Sequence, residues 1–204
     1  MSHTSPRARV FPANQVRIIG GKWRRRLLRF PPAADLRPTP DRVRETLFNW
    51  LGQDLPGFAT LDLFAGSGAL SFEALSRGAA LAVAVETGEP AITALRENAA
   101  VLGAGGLEIH RGDALAFLRR ETRCFDLIFL DPPFREEWMS KLLPLIPKRL
   151  NPGGWLYIEQ DRAAEPAPGW EMFRHQRAGQ VHYHLLRRTT GTVAGEVIDR
   201  ESTP

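Results

Sequence analysis

From Thr60 onward the chain alternates short apolar runs with stretches of helical spacing, and this alternation restricts the fold more than any other feature. Residues 61–63, 81–85, 107–110, 125–130 and 155–159 read as strands, and helices are expected over 69–77, 89–102, 114–120 and 136–150. Parallel neighbours cannot be joined by a tight turn, so strand-helix-strand repetition builds a parallel sheet with right-handed crossovers. The end of the chain departs from this pattern. Residues 170–177 and 181–187 flank Ala178-Gly179-Gln180, which signals an antiparallel hairpin. The predicted fold class is therefore α/β, a Rossmann-like parallel sheet closed by a terminal hairpin.

The first strand runs into Asp62-Leu63-Phe64-Ala65-Gly66-Ser67-Gly68. Glycines at 66 and 68 let the backbone approach a ligand closely, and the helix that follows offers free N–H groups at its start. A dinucleotide fingerprint requires a third glycine at position 71, which is Ser71 here. The second strand ends at Glu86, the place of an acid that grips ribose hydroxyls. The third leads to Gly112-Asp113-Ala114, where Asp113 can reach an adenine amine. Asp62, Glu86 and Asp113 at successive strand ends suit a cationic nucleoside better than a pyrophosphate. S-adenosylmethionine, which carries a sulfonium and an ammonium and no phosphate, fits them, with Phe64 and Ala114 completing the cofactor set. Singly, each acid reads as a helix cap or a solvated loop residue. Their common rim carries the assignment.

The fourth strand stops at Asp131-Pro132-Pro133-Phe134. Proline fixes φ and biases the residue before it toward extended geometry, so Asp131 is held at the strand's C-terminal edge. That edge is where open α/β sheets bind ligands. The Asp131 carboxylate and the Pro132 carbonyl can accept the two hydrogens of an exocyclic amine, while the Phe134 ring stacks on its base. A parallel sheet with a terminal antiparallel hairpin and this rim is the shape expected of an S-adenosylmethionine-dependent methyltransferase. His182 and His184 alternate on one strand face, but without a cysteine or acidic cluster they read as solvated positions, and no metal is expected.

Charge is unevenly distributed. Residues 1–50 hold eleven basic and three acidic side chains, a net +8 that leaves −4 for the remainder of a chain whose total is +4. A basic appendage on a mildly acidic body is the footprint of a polyanion binder. The segment 17–29 interleaves its charges with Ile18, Ile19, Trp23, Leu27 and Leu28 and reads as a hairpin turning at Gly20-Gly21. Lys22, Arg24, Arg25 and Arg26 within it, with Arg37 and Arg42 beyond it, are the candidate RNA contacts. Thr39-Pro40 then opens a helix, with Thr39 as its cap and Pro40 at the first helical position. The expected organisation is a disordered tail over 1–14, an RNA-binding hairpin and helix over 15–55, a catalytic domain over 56–188 and a second disordered tail over 189–204. The 43% apolar content is enough for a real core. Cys124, the single cysteine, fits a reducing compartment and is assigned to buried packing. With neither an export signal nor a long apolar run, a cytoplasmic location without membrane contact is expected.

With these residues assembled, the chain closely resembles the RsmD family of bacterial 16S ribosomal RNA guanine-N2 methyltransferases, from Arg17 to about Arg188. The most specific segments are Arg17-Ile18-Ile19-Gly20-Gly21-Lys22-Trp23 and the run from Arg37 through Arg42-Val43-Arg44-Glu45 to Asn49, with the Asp62–Leu70 turn and Asp131–Phe134 adding to them. The resemblance implies a seven-strand methyltransferase sheet with an N-terminal hairpin, and S-adenosylmethionine as methyl donor. It also implies a guanine N2 target in 16S rRNA within the assembled small subunit; a monomeric enzyme is expected. Arg25 and Ser71 stand where the family tends to have glycine. Three rival readings remain: a DNA adenine-N6 or cytosine-N4 methyltransferase sharing the Asp-Pro-Pro-Phe turn, a glutamine-N5 protein methyltransferase, and a non-catalytic RNA-binding module. Cofactor binding separates the last from the enzymes, and the modified nucleoside or residue separates the enzymes from one another.

Overall fold

The computed structural model describes residues 14–31, 39–133 and 138–189. Seven strands form the main sheet: β3 (Ala59–Asp62), β4 (Leu81–Glu86), β5 (Leu107–Arg111), β6 (Phe125–Leu130), β7 (Leu150–Gln160), β8 (Trp170–Ala178) and β9 (Val181–Arg188). Their order is β5-β4-β3-β6-β7-β9-β8. The first five are parallel, and β9 pairs antiparallel with both β7 and β8. Order reverses between β3 and β6, which places the topological switch point, and the crevice that ligands use, at their C-terminal ends.

Strand parity divides the core. Ala82, Ala84, Leu127, Phe129 and Tyr157 face one layer, where α2 (Ala69–Ser76) and α3 (Glu89–Leu102) pack. Leu61, Val83, Val85, Ile128, Leu156 and Ile158 face the other, covered by α4 (Ala114–Arg120) and the short α5 (Trp138–Leu142). The N-terminal strands β1 (Gln15–Arg17) and β2 (Leu27–Arg29) pair antiparallel. They and α1 (Asp41–Trp50) bury Val16, Ile18, Leu28, Val43, Leu47 and Phe48 in the first layer, so the segment expected as an appendage shares the core of the sheet.

A buried ionic clamp joins them. Glu73 on α2 is fully buried and accepts hydrogen bonds from the backbone N–H of Ile19 (2.8 Å) and Gly20 (2.7 Å). It also pairs with Arg77 at 2.8 Å and with the fully buried Arg44 at 3.3 Å. Arg44 bridges onward to Asp41 at 2.6 Å, and Asp41 pairs with Arg17 at 3.0 Å. Burial lowers the pKa of Arg44, and the charges of Glu73 and Asp41 oppose that shift. Arg17 and Arg44, part of the positive charge counted in the sequence, are thus engaged inside the fold.

Several local expectations are corrected. The chain does not reverse at Gly20-Gly21. It reverses over residues 18–26, closed by bonds from the Ile18 N–H to the Arg26 carbonyl and from the Arg25 N–H to the Ile18 carbonyl. The two glycines are instead packing positions. A Cβ on Gly21 would stand 1.8 Å from the Ser76 carbonyl oxygen, and one on Gly20 would meet the Arg77 guanidinium at 2.3 Å. Arg25 adopts φ +73, a left-handed conformation that favours glycine. The helix expected over 136–150 is not continuous. Pro144 and Pro147 remove donors and clash with preceding carbonyls, leaving α5 and a 3-10 turn at Ile146–Lys148. The turn at Asn151-Pro152-Gly153-Gly154 lies within β7, where it produces a register shift against β6. Cys124 is exposed, one residue before β6 enters the core. His184 is fully buried rather than solvated, and burial, then the neighbouring His175, lowers its pKa to about 4.

Candidate active site

The rim at the switch point gathers three carboxylates that parity directs to one layer. Asp62 ends β3, Asp131 follows β6, and Glu159 lies near the end of β7. Asp62 is buried and accepts a hydrogen bond from the Ser71 hydroxyl at 2.8 Å. Burial raises its pKa to about 7, against the hydrogen bonds from Ser71 and the Phe64 backbone. Ser71, outside the dinucleotide pattern, therefore has a structural role here. Asp131 keeps some solvent contact as a residue, yet burial, then the charges of Glu159 and Asp62, push its carboxyl well above the usual range. Its described partner is the Thr39 hydroxyl, which donates to Oδ2 at 3.5 Å. Glu159 is buried and accepts the Tyr157 hydroxyl at 2.8 Å; burial again raises its pKa. Among the described residues no lysine or arginine pairs with any of the three.

The sequence predicts Thr39 as the cap of α1, but α1 begins at Asp41 after Pro40, and no side-chain cap bond forms. Pro40 itself occupies the cap position, with ψ 147, rather than the first helical position, so Thr39 lies one residue outside it and its hydroxyl turns to Asp131. Sequence reasoning misses Glu159, although it follows the same sign as Asp62 and Glu86: an acid at the C-terminal end of a parallel strand.

Beside the carboxylates a cavity of about 150 Å³ opens among Phe64, Glu86, Thr87, Asp113, Ala114, Pro133 and Trp138. It is smaller than the roughly 300 Å³ at the low end of small-molecule sites. Glu86 Oε2 accepts the Gly66 N–H at 2.9 Å, while Oε1 accepts those of Thr87 and Gly88 at 2.8 and 2.7 Å. A carboxylate has about four acceptor positions, so Oε2 keeps capacity for a ligand hydroxyl. Asp113 caps α4 through Oδ1, which accepts the Ala116 N–H at 2.9 Å. Gly68 adopts φ +76, and a Cβ there would meet Leu95 at 2.4 Å, so this glycine serves the close packing of α2 on α3 as well as the turn. Trp138, absent from the sequence-based site, contacts Phe64 edge-on at 5.2 Å, and its buried Nε1 has no partner among the described residues. A buried donor is normally satisfied, so this one suits an acceptor on a bound molecule.

Pro132 is buried next to Asp131, whereas Phe134 and Arg37 lie outside the described residues. Lys22, Arg24, Arg25 and Arg26 are exposed on the reversal between β1 and β2, and Arg42 is exposed on α1. Lys22 lies over the Trp23 ring at 4.3 Å.

The sheet order and rim define the class: this is the fold of S-adenosylmethionine-dependent methyltransferases. A family model described as conserved hypothetical protein 95 matches residues 16–187. Ribosomal RNA small subunit methyltransferase D of Escherichia coli K12 is 41% identical over 185 residues, covering 86% of this chain and 91% of that protein. The protein of the same name from Haemophilus influenzae is 36% identical over 181 residues, covering 85% and 94%. A solved Escherichia coli chain, yhhF, superposes with a TM-score of 0.78 at 41% identity over 86% of this chain and 98% of that one. The chain belongs to the RsmD family. Among the described residues no helix is long and apolar enough to cross a membrane.

Proposed function

We propose that this chain transfers a methyl group from S-adenosylmethionine to the exocyclic N2 of a guanine in the 16S rRNA of the small ribosomal subunit. The observation that carries the reading is the trio of buried carboxylates, Asp62, Asp131 and Glu159, without a cationic partner among the described residues. Buried anions normally ionise only beside a cation. A ligand with a sulfonium and an ammonium supplies that charge, and an amine nucleophile gaining positive character supplies more. The named activity of the Escherichia coli and Haemophilus influenzae relatives supports RNA as the substrate class.

Each residue then has a task. Glu86 offers its remaining acceptor capacity to the ribose, Asp113 offers Oδ2 to the adenine amine, and Phe64, Ala114 and Trp138 enclose the adenosine end. Gly66 and Gly68 shape the turn that passes beneath it, and Asp62 faces the cationic end. When bound, the cofactor supplies an electrophilic methyl group. Asp131 and the Pro132 carbonyl accept the amine hydrogens of the target and aim its lone pair. Ionised Asp131 stabilises the positive charge that develops on nitrogen and accepts the proton the amine releases. Phe134 is proposed to stack on the base after it leaves its helix, since a paired base cannot reach this rim. Stacking of this kind contributes about 1–3 kcal/mol. The exposed Lys22, Arg24, Arg25 and Arg26, with Arg37 and Arg42, contact RNA phosphates.

The test is methylation of small subunits isolated from a strain lacking the enzyme, using label in the donor methyl and mass spectrometry of the nucleosides. The expected product is N2-methylguanosine in 16S rRNA. Label in another base, or none, would overturn the assignment.

A further inference from the structure

The sheet edge carries a second chemical cluster, on the layer opposite the carboxylate rim and two strands from Asp131. His182 and His184 are two residues apart on β9, so their side chains share a face. Antiparallel register sets His175 of β8 opposite His184. One ring nitrogen from each of the three lies within 4.8 Å of the others. His175 Nε2 and His182 Nδ1 are already 3.0 Å apart. Donors around a four-coordinate ion with bonds of about 2.0–2.1 Å stand roughly 3.3 Å from one another, so the cluster is close to the size required.

His184 supplies an independent observation. Its side chain is fully buried. Its Nε2 accepts the Ala164 N–H at 2.9 Å, which places the ring proton on Nδ1. That buried Nδ1 has no hydrogen-bond partner among the described residues. An ion can bind this nitrogen once the ring proton has moved to Nε2.

We propose that His175, His182 and His184 bind one divalent ion of the zinc class, and that capture of the ion releases the Ala164 amide from His184. Neutral imidazoles are preferred ligands for zinc, cobalt, nickel and copper, and three of them leave a further coordination position for water. The rings now stack with planes 4° to 14° apart, so the more accessible His175 and His182 must turn for their in-plane lone pairs to converge. Release of Ala164 follows from proton bookkeeping at His184. An ion on Nε2 takes the lone pair that the amide uses. An ion on Nδ1 moves the ring proton to Nε2, which then donates and can no longer accept. Either way the loop between β7 and β8 loses the tie at Ala164 while β8 gains one to β9.

The test uses the full chain without an affinity tag, titrated with Co²⁺ and followed by optical absorption, with Zn²⁺ as competitor. The expected result is one ion per chain in a tetrahedral spectrum at micromolar protein. His175→Ala and His182→Ala, at the accessible end of the cluster, should each weaken binding by at least about a hundredfold, since altering groups that only support a ligand already costs 10–100-fold. Hydrogen exchange at the Ala164 amide should accelerate when Zn²⁺ is added. Absence of binding below millimolar ion, or binding unchanged in both variants, would overturn the site. Unchanged protection of Ala164 in the loaded protein would overturn the coupling. Neither readout involves methyl transfer, so failure here leaves the proposed activity to its own test.

Discussion

Buried carboxylates occur in two regions of this molecule, and the fold treats them in opposite ways. Glu73, in the clamp between the N-terminal strands and α2, meets two arginines and two backbone N–H groups. At the switch point, Asp62, Asp131 and Glu159 receive hydroxyl donors from Ser71, Thr39 and Tyr157 but no cation among the described residues. Burial raises the pKa of all three, and no neighbouring cation opposes it. The difference separates structure from function. Glu73 is neutralised by its own chain and fastens elements together. The rim carboxylates are held short of a counterion, which a cationic ligand can provide.

Substitutions in the two regions should therefore differ in kind. Glu73→Ala leaves Arg44 and Arg77 buried without their shared anion, and should cost about 3–5 kcal/mol of stability in denaturant unfolding. A loss below about 1 kcal/mol would dissolve the contrast from the structural side. Asp131→Asn should do the reverse. Turnover should fall by about 10²–10³-fold, the scale of removing one electrostatic stabiliser, while the stability of the free enzyme stays level or rises. If Asp131→Asn unfolds the protein as readily as Glu73→Ala, the rim is structural after all.

Smaller effects sharpen the picture of the N-terminal reversal. Replacing Lys22, Arg24, Arg25 and Arg26 together with alanine should lower the salt dependence of particle binding by roughly one unit, or slightly less, for each phosphate no longer neutralised. Cofactor affinity should hold, since none of the four lines the cavity. An unchanged salt slope would mark these residues as a solvated face. Arg25→Gly should stabilise the fold by about 1 kcal/mol in thermal or denaturant unfolding, because the residue sits at φ +73. A loss of stability would show that the Arg25 side chain makes an interaction stronger than the strain.

The sheet was legible because each of its signals is local. Periodicity marks β6 and α3 to the residue, and the Gly66–Gly68 turn and the terminal acids locate the rim. What failed depended on tertiary structure. Nothing adjacent to Thr39 announces Asp131, ninety-two positions away, and nothing beside Gly20 and Gly21 announces the end of α2. Arg44 reads as surface charge until Glu73 and Asp41 close around it. Two misses had readable signals. Pro144 and Pro147 argue against one helix over 136–150, and Glu159 obeys the strand-end rule already applied to Asp62. The three-histidine cluster needed the register of β8 on β9, which brings His175 to His184.

The central claim is that the rim carboxylates await a cation, and proton linkage tests it most directly. Asp62 has a pKa of about 7 in the folded protein against an ordinary value of 3.8. A raised carboxyl pKa favours the free protein at low pH, so this contribution to stability is complete below the ordinary value and is lost as pH rises through about 7. A bound cation prefers the ionised form and drives the proton off. Calorimetric titration with S-adenosylmethionine from about pH 5 to about pH 8, in buffers of different ionisation enthalpy, measures both affinity and protons released. Affinity should strengthen by up to about tenfold per pH unit for each proton released, levelling above pH 7, with release falling away over the same interval. Affinity independent of pH, with no proton released below pH 7, would contradict the account.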